Sequence, residues 1–200
     1  MTAVATIEAL EALYAEPGAT ALLKETDRVL APHAAMIAAS PFCVLATRGP
    51  KGLDCSPRGD APGFARVVDE RTVLLPDRRG NNRIDSLRNI VANGEAGLIF
   101  LVPGKGEALR VAGRARVVAD DALNASFAMD GRPPVTVVEI AVERVFHQCA
   151  RAIIRSDLWS AAKARDDLPT AGEMVRAADP GFDAEPYDAA LAARQRETLY

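Results

Sequence analysis

From Phe42 onward, short apolar runs rich in β-branched residues follow one another with turn residues between them. That succession limits the fold more than any other feature of the chain. Phe42–Thr47 (FCVLAT) runs into the turn Arg48–Gly52, then Leu53–Pro57 leads into the loop Arg58–Gly63. Phe64–Val68 and Thr72–Leu75 flank Asp69–Arg71 as a hairpin. Ala96–Val102 turns through Pro103-Gly104-Lys105-Gly106 into Glu107–Val118, and Val135–Phe146 supplies the last strand. Parallel strands need a crossover of roughly a dozen residues or more, usually a helix. About six or seven strands with few helices between them therefore predict an antiparallel barrel and not a βαβ sheet.

Helical periodicity lies outside and between these runs. Residues 1–40 read as a helical leader: Thr6–Tyr14 is amphipathic, Pro17-Gly18 breaks it, and Ala19–Ala39 resumes the period, with Pro32 expected to end or kink it. Asp85–Ala92, stopped by Asn93-Gly94, and Asp121–Met129 are short helices within the strand region, with Asp85 and Ser86 at cap positions. Ile153–Lys163, Gly172–Ala178 and Asp188–Leu199 are expected as helices after it. With 200 residues, 49% hydrophobic and 26% charged, the chain reads as one domain: leader 1–40, barrel 41–160 and helical tail 161–200.

Several classes are excluded by composition. No stretch reaches the ~18 apolar residues of a membrane span. Met1–Ala15 carries Glu8 and Glu11 and no basic residue, unlike a signal peptide, so a cytoplasmic protein with no membrane partner is expected. A net charge of −3 gives no general attraction to nucleic acid. Cys43, Cys55 and Cys149 form no CxxC, and His33 and His147 no HExxH, so neither a disulfide framework nor a metal centre is expected.

The stretch that carries chemistry is Pro76-Asp-Arg-Arg-Gly-Asn-Asn-Arg83, between a strand and a helix. Arginine offers a rigid donor fork to phosphate or carboxylate, and a helix start adds free N–H groups and partial positive charge. The run reads either as a phosphate cradle or as a solvated loop capping the next helix. Ser56-Pro-Arg-Gly-Asp60, at another strand end, reads as a second wall of one ligand site or as a surface turn. Trp159 is either a stacking residue or an anchor of a C-terminal helix, and His147 either an acid/base or a packing residue. Cys149 is either a redox thiol or, the reading favoured by its isolation from the other cysteines, a buried structural one.

The ordered pieces FCVLAT, SPRGDAPGF, LLPDRRGNNRIDSLRNI, LIFLVPG and LRVAGRARV, spanning Pro41 to Trp159, resemble the pyridoxamine 5′-phosphate oxidase-like superfamily, in the branch with a PDRRGNNR signature. The resemblance implies a mainly β, antiparallel, Greek-key-like split β-barrel with flanking helices. It also implies a homodimer with FMN at the subunit interface. Carried onto this chain, Leu74, Leu75 and Pro76 pass beneath the flavin ring, and Arg83 meets the FMN phosphate with Asn81, Asn82 and Arg79. Ser56, Arg58 and Asp60 lie along the ribityl chain or ring edge, and Arg110 faces the cofactor. Arg151 and Trp159 belong to a C-terminal signature that closes the cleft from the partner chain. The oxidase's full set of basic residues for its substrate and its C-terminal arginine motif are absent, and the tail from Ala161 has no counterpart there.

The expected function is an FMN-binding flavoprotein and FMN-dependent oxidoreductase acting on a small molecule, with a nicotinamide cofactor as a possible electron donor and no assigned acid or base. The alternatives are a non-catalytic carrier of FMN, haem or a deazaflavin, and a structural dimer whose cleft has decayed.

Overall fold

The computed structural model describes residues 2–160 and 168–200. The leader holds α1 (Ile7–Glu11), α2 (Ala19–Leu23), β1 (Glu25–Thr26) and α3 (Ala31–Ala39). Then follow β2 (Phe42–Gly49), β3 (Gly52–Gly59), β4 (Arg66–Asp69), β5 (Thr72–Pro76) and α4 (Asp85–Asn93). β6 (Glu95–Leu101), β7 (Ala108–Val118), α5 (Asp121–Ser126) and β8 (Val137–Gln148) complete the sheet, before α6 (Arg151–Ser156), α7 (Ala171–Ala178) and α8 (Ala184–Glu197).

All pairings are antiparallel, in the order β3-β2-β6-β7-β8-β5-β4, with β1 added beside β8. The mainly β antiparallel class with flanking helices is thus as the strand spacing predicts. The sheet does not close: β3 and β4 remain its two edges. Each turn does what its sequence offers. Gly104 (φ +80°) allows the β6–β7 hairpin, and α4 stops where Gly94 takes φ +77°.

Alternation along the strands builds the core. On β2, Cys43, Leu45 and Thr47 point inward while Val44 and Ala46 face the outer side. Cys43 and Leu45 join Phe100, Leu109, Val111, Val73, Leu75 and Ile140 in one cluster, which also takes in Ile37 of α3 and Ile90 of α4. A bulge in the β7–β8 ladder at Ala112/Gly113 bends the sheet around it. No helix among the described residues is long and apolar enough to cross a membrane.

The leader is less helical than its pattern predicts. Ala19–Ala39 is interrupted by β1, which pairs Glu25 with Phe146 and Thr26 with Val145. Pro32 starts α3 instead of ending it, because a first-turn proline lacks only an N–H that has no helical partner. His33 Nδ1 then accepts the Leu30 N–H at 3.2 Å. α5 ends at Ser126, three residues early, and the Ile153–Lys163 helix is found as Arg151–Ser156, ended by left-handed Asp157. Positions 161–163, like the start of the 161–200 tail, lie outside the described residues. Cys149 is exposed, not buried, because β8 ends at Gln148 and the thiol sits on the turn into α6; the buried thiol is Cys43.

Candidate functional site

One cleft of about 1030 Å³ opens where the C-terminal end of β3, the end of β5 and the start of α4 converge. Ser56–Gly59 form one wall, Pro76–Leu87 the floor and second wall, and Arg132–Val135 with Tyr200 the rim. Five arginines line it (58, 78, 79, 83 and 132) against three aspartates (54, 77 and 85). An anion is therefore favoured there.

The floor has its shape for local reasons. Asp77 N–H extends the β5–β8 ladder by one bond, to Thr136 O at 3.0 Å, and the chain then leaves the sheet. Asn81 Oδ1 accepts the Arg83 N–H at 3.0 Å, an Asx-type turn. Asn82 and Ile84 both adopt left-handed backbone, at φ +57° and +51°. For a β-branched residue such as Ile84 this costs about 1–2 kcal/mol, a strain that concentrates at ligand clamps. α4 begins at once: Ile84 is its N-cap and makes no side-chain cap. Asp85 and Ser86 are thus first-turn residues, not caps; Ser86 instead donates to Asp54 at 2.7 Å. The uncapped first turn leaves backbone donors and the positive end of the helix beside the arginine loop.

The arginines of the loop are chemically distinct. Arg78 is structural: its Nε donates to Asp60 Oδ2 at 2.7 Å and its Nη1 to Phe127 O at 2.6 Å, with 14% of the side chain exposed. Arg83 is 72% exposed and pairs with Asp85 Oδ2 at 2.9 Å, which holds that carboxyl below its ordinary pKa. Arg79 is exposed and, among the described residues, engages no acid. On the opposite wall Arg58 donates to Ser56 Oγ and Pro57 O and stands 3.9 Å from Asp77. Burial raises the Asp77 carboxyl, and Arg58 offsets only part of that rise.

The sequence-predicted residues Ser56, Arg58, Pro76, Arg79, Asn81, Asn82 and Arg83 thus meet at one cleft. Asp60 lies just behind its wall, its carboxylate 2% exposed and committed to Arg78, Tyr200 and the Ala61 N–H. Leu75 is in the central core at 1% exposure, so of the β5 end only Pro76 reaches the cleft. Leu74 faces a smaller cluster with Phe127 and Val137. Arg110 is on the outer face of β7, because its neighbours Leu109 and Val111 point into the core. There it stacks 4.5 Å over Phe146, in a groove of about 270 Å³ shared with Val44, Cys55, Ile99 and Arg144. Arg151 is exposed on α6. Trp159, beyond the end of α6, donates its indole N–H to Lys105 O at 2.7 Å, which ties this segment to the β6–β7 turn. Neither lines the cleft of its own chain.

Sequence reasoning missed Asp54, Arg132, the Pro133-Pro134 rim and Tyr200. The GRPP run carried a turn signal and a basic residue. Tyr200, 68 positions from Arg132 and 140 from Asp60, carried none.

The donor set fits a phosphate ester: two solvent-facing guanidiniums, amide side chains and an uncapped helix start within one strained loop. The cleft is also large enough for a nucleotide-sized ligand.

The family profile for pyridoxamine 5′-phosphate oxidase matches residues 30–149, more than half of the chain. No curated protein matches. Among solved structures, HupZ of Group A Streptococcus is 22% identical, covering 68% of this chain and 98% of that one, with a TM-score of 0.48. General stress protein 26 of Bacillus anthracis is 14% identical over 56% of this chain and 88% of its own, at 0.42. An FMN-binding protein of Syntrophomonas wolfei is 8% identical over 56% and 80%, at 0.44.

Proposed function

The chain belongs to the pyridoxamine 5′-phosphate oxidase family, and from that premise we propose that it is an FMN-binding flavoprotein and an FMN-dependent oxidoreductase of a small molecule. The observation that carries this reading is the arginine loop at the end of β5, whose Arg79 and Arg83 face a nucleotide-sized cleft beside the start of α4. Bound FMN supplies the exchange of a hydride or electrons.

This chain's residues hold and orient the cofactor. Arg79 and Arg83 meet the phosphate with Asn82 and the α4 N–H groups, while Asn81 keeps the loop in register through the Arg83 amide. Arg58, held by Ser56, offers a donor fork from the opposite wall, and Pro76 gives the ring an apolar support at the end of the sheet. The proposal includes a cytoplasmic homodimer with the cofactor between subunits. In it the partner supplies what this cleft lacks from its own chain, the Arg151–Trp159 segment and the Arg110 face.

The purified protein is expected to be yellow and to release FMN on heating; a colourless protein that binds no added FMN overturns the reading. Arg79→Ala and Arg83→Ala should each weaken FMN by about 1.5–3 kcal/mol, or roughly 10- to 150-fold, with riboflavin far less affected. Equal weakening of both ligands removes the phosphate assignment. Bleaching of bound flavin by NADH or NADPH, with reoxidation in air, separates an enzyme from a carrier.

A further inference from the structure

Tyr200 reaches the cleft from the far end of the chain, and its environment there is built. Its hydroxyl donates to Asp60 Oδ1 at 2.8 Å across 140 positions of sequence. Its carbonyl accepts from Arg132 Nη1 at 2.9 Å, and its ring lies 5.7 Å from the Arg78 guanidinium. The acceptor is the buried carboxylate that also fixes Arg78 and so the start of the arginine loop.

The described helices of the tail pack mainly on each other. α7 and α8 pack on each other: Asp188 of α8 accepts from Thr170 Oγ1 and from the Gly172 N–H at 2.7 Å. A side chain at Gly172 would meet Ala184 O at 2.7 Å, so the two helices touch backbone to backbone. Gly172 and Ala184 are the only buried residues of α7 and α8, so neither of these helices lays a buried apolar face on the barrel. What ties it to the site is its last aromatic residue.

We propose that Tyr200 is a ligand-site residue: its ring walls the cofactor cleft, and α7 and α8 form a strap that carries it there. This rests on the flavin reading above. An aromatic ring beside arginines suits a ligand with a flat ring and an anionic end. The hydrogen bond to Asp60 couples seating of the strap to the position of Arg78, so closing the rim and ordering the arginine loop are one event.

The test uses the full chain and its Tyr200→Ala and Tyr200→Phe variants, titrated with FMN and followed by flavin fluorescence, with trypsin cleavage at Arg194 and Arg196 followed in parallel. Tyr200→Ala should bind FMN at least tenfold more weakly and release it faster. Its bound flavin should fluoresce more brightly, a signature of a missing aromatic neighbour that a general loss of stability would not give. Tyr200→Phe, which keeps the ring and loses the Asp60 bond, should fall between. FMN should slow cleavage in the wild type and not in Tyr200→Ala. FMN binding by all three chains with equal affinity and equal fluorescence overturns the inference and leaves the flavin reading standing. If the wild type binds no FMN, the flavin reading and the ligand-site role of Tyr200 fall together. In that case, faster cleavage of Tyr200→Ala than of wild type would show that the strap alone survives.

Discussion

Replacing Asp60 with alanine should cost the cofactor-free protein about 3 kcal/mol. The carboxylate is 2% exposed and accepts three hydrogen bonds, from Arg78 Nε at 2.7 Å, the Tyr200 hydroxyl at 2.8 Å and the Ala61 N–H at 2.7 Å. Without it, Phe127 O is the one hydrogen-bond partner left to Arg78 among the described residues, while 14% of its side chain meets solvent. Leaving one member of a buried ion pair unpaired costs about 3–5 kcal/mol, and the lower end applies because the arginine borders a water-accessible cleft. With a urea slope of about 2 kcal/mol per molar, the unfolding midpoint should fall by about 1.5 M. Urea titration of wild type, Asp60→Ala, Arg78→Met and the double variant measures this, with FMN absent so that ligand stabilisation does not enter. The double variant should lose less than the sum of the two single losses. A midpoint drop below about 0.5 M for Asp60→Ala, or strict additivity, would refute the assignment of this pair as the pin of the loop.

Three further outcomes are expected. Burial raises the Asp77 carboxyl in the folded state, so its contribution to stability is present below the unfolded carboxylate pKa and is lost as pH rises through the folded value. Asp77→Asn should therefore raise the unfolding free energy at pH 7, and the gain should vanish in melts below about pH 4. A side chain at Gly113 would stand 2.0 Å from Ala141 O at the β7–β8 bulge, whereas one at Gly97 would meet nothing nearer than 3.9 Å. Gly113→Ala should cost about 3 kcal/mol or fail to fold, and Gly97→Ala should leave the melting temperature of the monomer within a few degrees. Burial pushes the Cys43 thiol up to about 12, while the Arg151 N–H holds exposed Cys149 below the ordinary thiol value. A thiol-reactive chromophore should thus label Cys149 first and Cys43 only on unfolding. Cys55 lines the outer groove, so it should be slowed in a homodimer that covers that face.

The strands were legible because alternation and turn chemistry agree locally: the runs at 42–47, 72–75 and 96–102 needed only small changes at their ends. β1 was not, since two residues carry no period and its partner is more than a hundred positions away. In the site, the composition of 76–83 pointed to a loop that lines the cleft but could not rank its arginines. Arg78 and Arg79 are identical as letters; Asp60 and Phe127 O, brought in by the sheet and α5, make Arg78 structural, while Arg79 engages no acid among the described residues. Alternation on β5 and β7 likewise decides that Leu75 and Arg110 face away from the cleft, and that depends on which face the fold buries.

The open sheet has a bearing on how this protein survives at high concentration. An uncovered strand margin invites further chains to add in register, the route to fibrils. Here one margin is β3, with Pro57 inside it, a residue that gives a newcomer no amide hydrogen. The other is β4, four residues long, opened by Arg66 and closed by Asp69. Both borders therefore disfavour an added strand.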